Sequence, residues 1–307
     1  MIAYKFTWNP MEGIDLGFYT IHFYSLMFVV AFTLGWFLMK QFYKRENVDL
    51  DKLDPLFMYT VIATMLGARL GHVLFYQTEL LWEDPFAVLL PIRTVPEFEF
   101  TGFQGLASHG AAIAIPIAMI YYSKNVLKKP PLWILDRIVI TVALAGVFIR
   151  LGNFFNSEMV GKVTDSPIGV QFVQDAIYKG EAMRLTGEKT AIKAYQALTD
   201  NPEFSDRIAE IPYRYPGQLM EATGYIFVFL ILMWIYYKTE KRKHLGFLFG
   251  AFLSILFTVR FIVEYFKREQ VEGREDWILG LNTGQLLSIP AILAGLYFMF
   301  RPKKTIE

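Results

Sequence analysis

Seven apolar stretches, each long enough to cross about 30 Å of hydrocarbon, constrain this chain more than any other feature. They lie at about 20–39, 56–77, 105–123, 132–150, 218–237, 246–266 and 284–300. A chain with 54% hydrophobic and 17% aromatic residues over 307 positions, and a mean hydropathy of +0.33, is too apolar for a soluble domain of that length. The fold class that follows is an all-α integral membrane protein, a single polytopic domain of seven transmembrane helices. The first stretch reads as a retained span and not a cleaved signal peptide: Lys5 is the only basic residue before it, its apolar run is long, and no small-x-small cleavage site follows.

Basic residues alternate between the connections. Lys40, Lys44, Arg45 and Lys52 follow the first stretch; Lys124, Lys128 and Lys129 follow the third; Lys238, Lys241, Arg242 and Lys243 follow the fifth; Arg301, Lys303 and Lys304 follow the seventh. Short basic loops stay cytoplasmic, so the N-terminus is expected outside and the C-terminus inside. The long connection at 151–217 then faces outward, as a small extracytoplasmic cap between helices 4 and 5. Within it, Ile192, Ala194, Tyr195 and Leu198 form an apolar stripe that predicts a short helix over 190–198. Pro116 and Pro290 fall inside the third and seventh spans and are expected to kink them, whereas Pro216 fits the start of the fifth. The balance of 30 Lys and Arg against 29 Asp and Glu creates no field for nucleic acid. No internal repeat is evident, which argues against an inverted-repeat transporter.

Charged groups inside a span are costly, about 2.5–3.5 kcal/mol for an arginine at its centre, so those that occur should face the bundle interior. Arg69 lies in the second span, Arg150 ends the fourth, and Arg260 and Glu264 lie in the sixth. With the expected topology all four sit toward the outer side. His22 and Tyr24 open the first span there, His109 the third, Gln218 and Glu221 the fifth, and Asn282 and Gln285 the seventh. Asn153 and Asn156 continue the Arg150 face if its helix persists, with Glu158 and Gly161 close behind. A single polar site near the outer headgroup level is therefore expected.

Each of these residues also has a purely structural use. Arg69 could serve a carboxylate or a backbone carbonyl; Arg260 and Glu264, four apart, could neutralise each other; His109 could be a hydrogen-bonded core histidine; the two asparagines could cap a helix end; Glu158 could be a surface carboxylate and Tyr24 an interfacial aromatic. Ser108 and His109 are adjacent on a helix and point about 100° apart, a poor catalytic dyad. His22, His72 and His244 share no ligand-like spacing with His109, so no metal and no cofactor is expected.

Arginines at headgroup depth suit a phosphate, which their planar forks bind bidentately, and the phosphate available there belongs to a phospholipid. A histidine, with an ordinary pKa of about 6.5, can act as a general base. The chain has no cysteine, so any thiol in the chemistry must arrive on a substrate. A phospholipid-processing enzyme or a lipid-binding protein is as far as the residues alone lead. A seven-helix receptor or retinal protein shares the same topology, but the seventh span has no lysine for a Schiff base; a lipid transporter or channel is the other alternative.

The same residues, in order, resemble the prolipoprotein diacylglyceryl transferase family. The matching pieces are Tyr24-Ser25-Leu26-Met27, Gly67-Ala68-Arg69-Leu70-Gly71, Gly105-Leu106-Ala107-Ser108-His109-Gly110, the run from Arg150 to Gly161, Tyr215 to Glu221, Arg260 to Glu264, and Gly284 to Ser288. They touch all seven spans and leave out the cap. The resemblance implies transfer of a diacylglyceryl group from phosphatidylglycerol to the lipobox cysteine of a prolipoprotein, at a bacterial inner membrane, with release of glycerol phosphate. It points to His109, Arg150, Asn153, Gly161, Tyr24, Arg260 and Glu264 as functional positions. In the roles it suggests, His109 promotes thiol deprotonation, Arg150 and Arg260 bind the phosphate, Glu264 orients Arg260, and Asn153 and Tyr24 position the headgroup. Arg69 and Gly161 join Arg150, Asn153, Arg260, Glu264 and Tyr24 as candidates for binding phosphatidylglycerol, and Asn156, Glu158, Gln218 and Glu221 are supporting candidates. Ala111, His72, Gly217 and Met220 depart from the usual pattern without removing a proposed charge.

Overall fold

The computed structural model describes residues 5–16, 20–90, 92–100, 105–268 and 280–302; Lys303 and Lys304, counted above for topology, lie outside them. Seven helices are long and apolar enough to span a membrane: Phe23–Arg45, Leu50–Tyr76, Ser108–Leu127, Pro131–Phe155, Gly217–Lys238, Phe247–Glu264 and Thr283–Phe300. The mostly helical, multi-span architecture expected from the apolar pattern is what the chain adopts. Two boundaries bear on the site. The fourth span continues past Arg150 to Phe155, which keeps Asn153 on its helix and leaves Asn156 in the turn beyond. Pro216 stands immediately before the first residue of the fifth.

The chain packs as two compact units, one of residues 1–35 and 139–307, the other of residues 36–138. In the second unit, spans two and three touch backbone to backbone. A Cβ at Gly71 would stand 2.6 Å from Gly110 Cα, so only glycine admits this approach. Ala107 N–H donates to Ala68 O at 2.9 Å across the same contact. At the basic end of this unit, Arg137 forms a bidentate pair with Glu46 at 2.7 and 3.1 Å and lies over the Trp133 ring, 4.4 Å from its centroid. The buried Tyr43 hydroxyl meets that of Tyr122 at 2.7 Å, and Tyr122 in turn donates to Lys52 O.

The connection after span two carries two short helices, Leu80–Glu83 and Pro85–Leu89. Strands β1 (Phe6–Trp8), β2 (Gly13–Asp15) and β3 (Thr20–His22) precede span one, and a hairpin of β4 (Ile92–Arg93) and β5 (Glu99–Phe100) follows these two helices. Asp84 organises this arm. Its carboxylate caps the second helix through Ala87 N–H at 3.3 Å and accepts from Thr94 N–H at 2.6 Å, Thr94 Oγ1 at 2.7 Å and Val95 N–H at 3.3 Å. Those bonds, the Thr94 ones foremost, hold the Asp84 carboxyl below the usual carboxylate range.

The first unit contains the start of span one, most of span four, the cap, and spans five, six and seven packed in sequence order. Strand β1 (Phe6–Trp8) pairs in parallel with β6 (Val170–Phe172) of the cap, and β2 (Gly13–Asp15) pairs antiparallel with β3 (Thr20–His22). Trp8 ties the first strand to the end of span four: its ring stacks on Phe154 at 4.3 Å and its Nε1–H donates to Phe154 O at 2.9 Å. The cap has its own apolar core of Val173, Ile177, Ala182, Ala194, Tyr195, Leu198 and Ile211. The helix expected over 190–198 forms at Ala191–Asp200, with Ala194, Tyr195 and Leu198 buried and Ile192 only partly so.

Candidate active site

At one end of the first unit's spans, four charged side chains make a buried chain of ion pairs. Arg150 Nε lies 2.7 Å from Glu221 Oε2, though the N–H does not aim at that oxygen well enough for a hydrogen bond. Lys267 Nζ then bridges Glu221 Oε1 at 3.1 Å and Glu264 Oε2 at 2.9 Å. Glu221 is fully buried, Lys267 is 4% exposed and the Arg150 side chain 12%. Two cations face two carboxylates, which is what makes burial of this much charge tolerable; removing one partner of such a group costs about 3–5 kcal/mol. Spans four, five and six are thereby locked together around the arginine.

The remaining faces of Arg150 look toward weaker partners. Its Nη1 donates to Asn153 Oδ1 at 3.3 Å and to Met159 Sδ at 3.0 Å. Asn153 passes the contact on to Glu158 Oε2 at 3.3 Å, and Asn156 donates to Glu158 Oε1 at 3.1 Å. The Tyr24 ring packs against Gly152. Gln218 Nε2 donates to Glu158 O, fixing the turn from above. That turn is strained: Ser157 and Met159 are non-glycine residues at φ 53° and 57°, a conformation sustained only where surrounding contacts impose it.

Gly161 acts through its backbone. A side chain there would stand 2.5 Å from Tyr215 O and 2.6 Å from Phe266 O. Its N–H donates to Tyr215 O at 2.8 Å, while Lys162 N–H donates to Phe266 O at 2.8 Å. This seam pins the chain after span four against the chain after span six and so places Lys267.

Of the candidates read from the sequence, this unit brings Arg150, Asn153, Glu158, Asn156, Gly161, Tyr24, Gln218, Glu221 and Glu264 into one connected group. Arg260 lies nearby, half-buried with its charge near Tyr225. One expected pairing is corrected. Glu264 does not orient Arg260: its carboxylate is taken by Lys267, and among the described residues Arg260 makes no ion pair or hydrogen bond. The reason is geometric. Lys267 follows the helix end by three residues and its Nζ reaches back to the Glu264 carboxylate at 2.9 Å, ahead of Arg260 one turn earlier. Lys267, and Tyr225, whose hydroxyl donates to Glu221 Oε1 at 3.5 Å, are the members of this cluster that the sequence does not single out.

The second unit holds the other candidates. Arg69 donates to Ala87 O at 2.6 Å, Val88 O at 3.1 Å and Gly105 O at 3.4 Å, closing the carbonyl end of the helix that Asp84 opens. That is the backbone partnership foreseen as its structural use. His109 is exposed at the head of span three, edge-on to Phe75 with centroids 4.9 Å apart and tilted to Tyr76 at 5.8 Å; among the described residues no hydrogen bond or ion pair engages its imidazole. His72 stacks on the same Tyr76. No cluster of metal-ligating side chains occurs among the described residues.

Seven helices able to span a membrane, with a buried arginine held in the first unit by carboxylates, an ammonium and amides, define a polytopic membrane protein with a buried charged centre. The comparisons narrow that class. The family model described as prolipoprotein diacylglyceryl transferase matches residues 12–301. The phosphatidylglycerol--prolipoprotein diacylglyceryl transferase of Tolumonas auensis is 35% identical over 291 residues, 95% of each chain. That of Bacteroides fragilis is 32% identical over 296 residues, 95% of this chain and 94% of its own. That of Chloroherpeton thalassium is 32% identical over 305 residues, 99% and 97%. The chain belongs to the prolipoprotein diacylglyceryl transferase family and is a transferase.

Proposed function

We propose that this protein transfers the diacylglyceryl group of phosphatidylglycerol to the lipobox cysteine of a prolipoprotein, from the outer leaflet of a bacterial cytoplasmic membrane, with its N-terminus outside and its C-terminus in the cytoplasm. The thiol loses its proton and its sulfur attacks the glycerol carbon attached to the phosphate. The new C–S thioether forms as the C–O bond to phosphate breaks, and glycerol phosphate leaves with the bonding electrons. The observation that carries this reading is the held guanidinium of Arg150: its Nη1 spends its donors on an amide 3.3 Å away and a thioether, both poorer partners than a phosphate oxygen. Catalysis of this kind needs positive charge where the leaving group becomes more negative, supplied by a group that does not reorganise.

Arg150 is assigned to the phosphate, with Arg260 as the second cation beside it. His109, exposed and uncommitted, is assigned to thiol deprotonation, since thiolate is the reactive form and a free thiol near pKa 8.5 is mostly protonated at neutral pH. Asn153 and Tyr24 position the headgroup, and Glu158, Asn156, Gln218 and Glu221 hold them. The absence of any cysteine from the chain supports the same assignment, because the nucleophile then comes with the acceptor.

The test is to incubate the purified protein in phosphatidylglycerol-containing vesicles with a peptide bearing a lipobox cysteine. A diacylglyceryl mass increase on the peptide and release of glycerol phosphate are expected, both abolished when the peptide cysteine is replaced by serine. Phosphatidylglycerol that crosses the bilayer without covalent change would instead mark a transporter.

A further inference from the structure

Beside Glu158 the first unit opens into a cleft of about 510 Å³. Glu12, His22, Asn156, Glu158, Tyr178 and Lys179 line it, so one wall is the turn after span four and the other is the cap and the N-terminal segment. Glu158 belongs to both places: one carboxylate oxygen accepts from Asn153 beside Arg150, the other from Asn156 on the cleft side. The walls are braced. Gln174 Nε2 donates to Pro10 O at 2.6 Å, Asn9 Nδ2 to Tyr195 O at 2.6 Å, and the Tyr195 hydroxyl to Ile177 O at 2.8 Å. Across the mouth runs an ion pair between Lys179 and Glu12 at 2.9 Å, with the lysine side chain 60% exposed. An exposed pair of this kind contributes about 0–1 kcal/mol and yields readily to an incoming group.

Resting on the transferase reading, we propose that this cleft binds the stretch of acceptor polypeptide that follows the modified cysteine, in extended form and largely through its backbone amides. A cysteine delivered to Arg150 brings the next residues with it, and those are polar main chain that must leave the spans through a polar opening. The cleft is an opening contiguous with Glu158. Its amides, hydroxyls, carboxylates and ammonium match peptide N–H and C=O groups. Its volume lies within the range of about 300–1,000 Å³ typical of small-ligand sites, and three or four extended residues, at roughly 3.3 Å each, would run along it.

The experiment compares two lipobox peptides that are identical up to the cysteine, one ending there as an amide and one continuing for five small polar residues. On the full-length protein in phosphatidylglycerol vesicles, the longer peptide should show a KM at least fivefold lower with a similar kcat. The double variant Tyr178→Ala, Lys179→Ala changes side chains that are exposed, and it should bring the ratio of the two KM values toward one. A photo-crosslinker three residues after the cysteine should attach to the segment 174–196, a readout that requires no turnover. Equal KM values on the unaltered protein would overturn the proposal, as would crosslinks confined to other segments. A variant that raises the KM for phosphatidylglycerol alone would reassign the cleft to the lipid headgroup and overturn it as well. Modification of neither peptide would remove the transferase reading itself, an outcome distinct from these.

Discussion

Arg150 and Lys267 differ in what each can lose. Arginine at position 150 uses its Nε toward Glu221 and its Nη1 toward Asn153 and Met159 at the same time, a fork that an ammonium cannot reproduce. Arg150→Lys should therefore lower kcat by about 10²-fold or more, the scale of losing one transition-state donor, while the protein still folds; near-normal turnover in the vesicle assay would count against the phosphate role. Lys267 touches no proposed substrate atom and acts by holding Glu221 and Glu264. Lys267→Met leaves two buried carboxylates facing each other, and a loss of about 3–5 kcal/mol is expected, visible as a lower thermal midpoint in detergent. Lys267→Arg should restore most of the stability, and a midpoint equally depressed by both substitutions would argue against an ion-pair role. The Glu264–Lys267 spacing of three is a helix-face pair that the sequence displays openly. It was passed over because position 267 reads as the first residue of a loop, where a lysine looks solvated.

At the level of elements, the arm between spans two and three is fixed at both ends of one short helix, by Asp84 at its N–H end and Arg69 at its carbonyl end. The sequence offered Arg69 as a ligand-binding candidate, because an intramembrane arginine with no acidic neighbour looks unspent; only the fold of the arm brings three carbonyls to it. Asp84 has a folded pKa below its unfolded value, so its contribution to stability is complete above the unfolded carboxylate value of about 3.9 and is lost as the pH falls through the folded one. Amide exchange in the helix Pro85–Leu89 should thus stay slow at neutral pH and accelerate selectively below about pH 4. In Asp84→Asn that acid dependence should vanish, with exchange already fast at neutral pH. An unchanged profile in the variant would place the arm's stability elsewhere. At Gly161 the backbone joins two connections too closely for any Cβ, so glycine is required there whether or not the residue also meets substrate.

For the whole molecule, the cysteine-free sequence is already the background needed to test orientation. Thr199→Cys in the cap should react with a membrane-impermeant maleimide added outside right-side-out cells or vesicles, and Lys243→Cys only after permeabilisation. The reverse pattern would invert the topology and move the proposed site to the other leaflet.

The seven spans are legible in the hydropathy alone, because about 20 consecutive apolar residues have few alternatives to a membrane helix and hydropathy is a local property. The sequence also marked most of the residues gathered around Arg150, since charge within a span is rare enough to stand out. Which charges meet was decided only by tertiary structure. Glu264 lies four residues from Arg260 and three from Lys267, spacings that one helix face accommodates equally well. The seam through Gly161 and the packing of spans five and six settled the choice in favour of Lys267, because partners along a chain are set by distance in space and not by order in sequence. The cleft beside Glu158 is likewise a product of the fold, formed by segments more than a hundred residues apart.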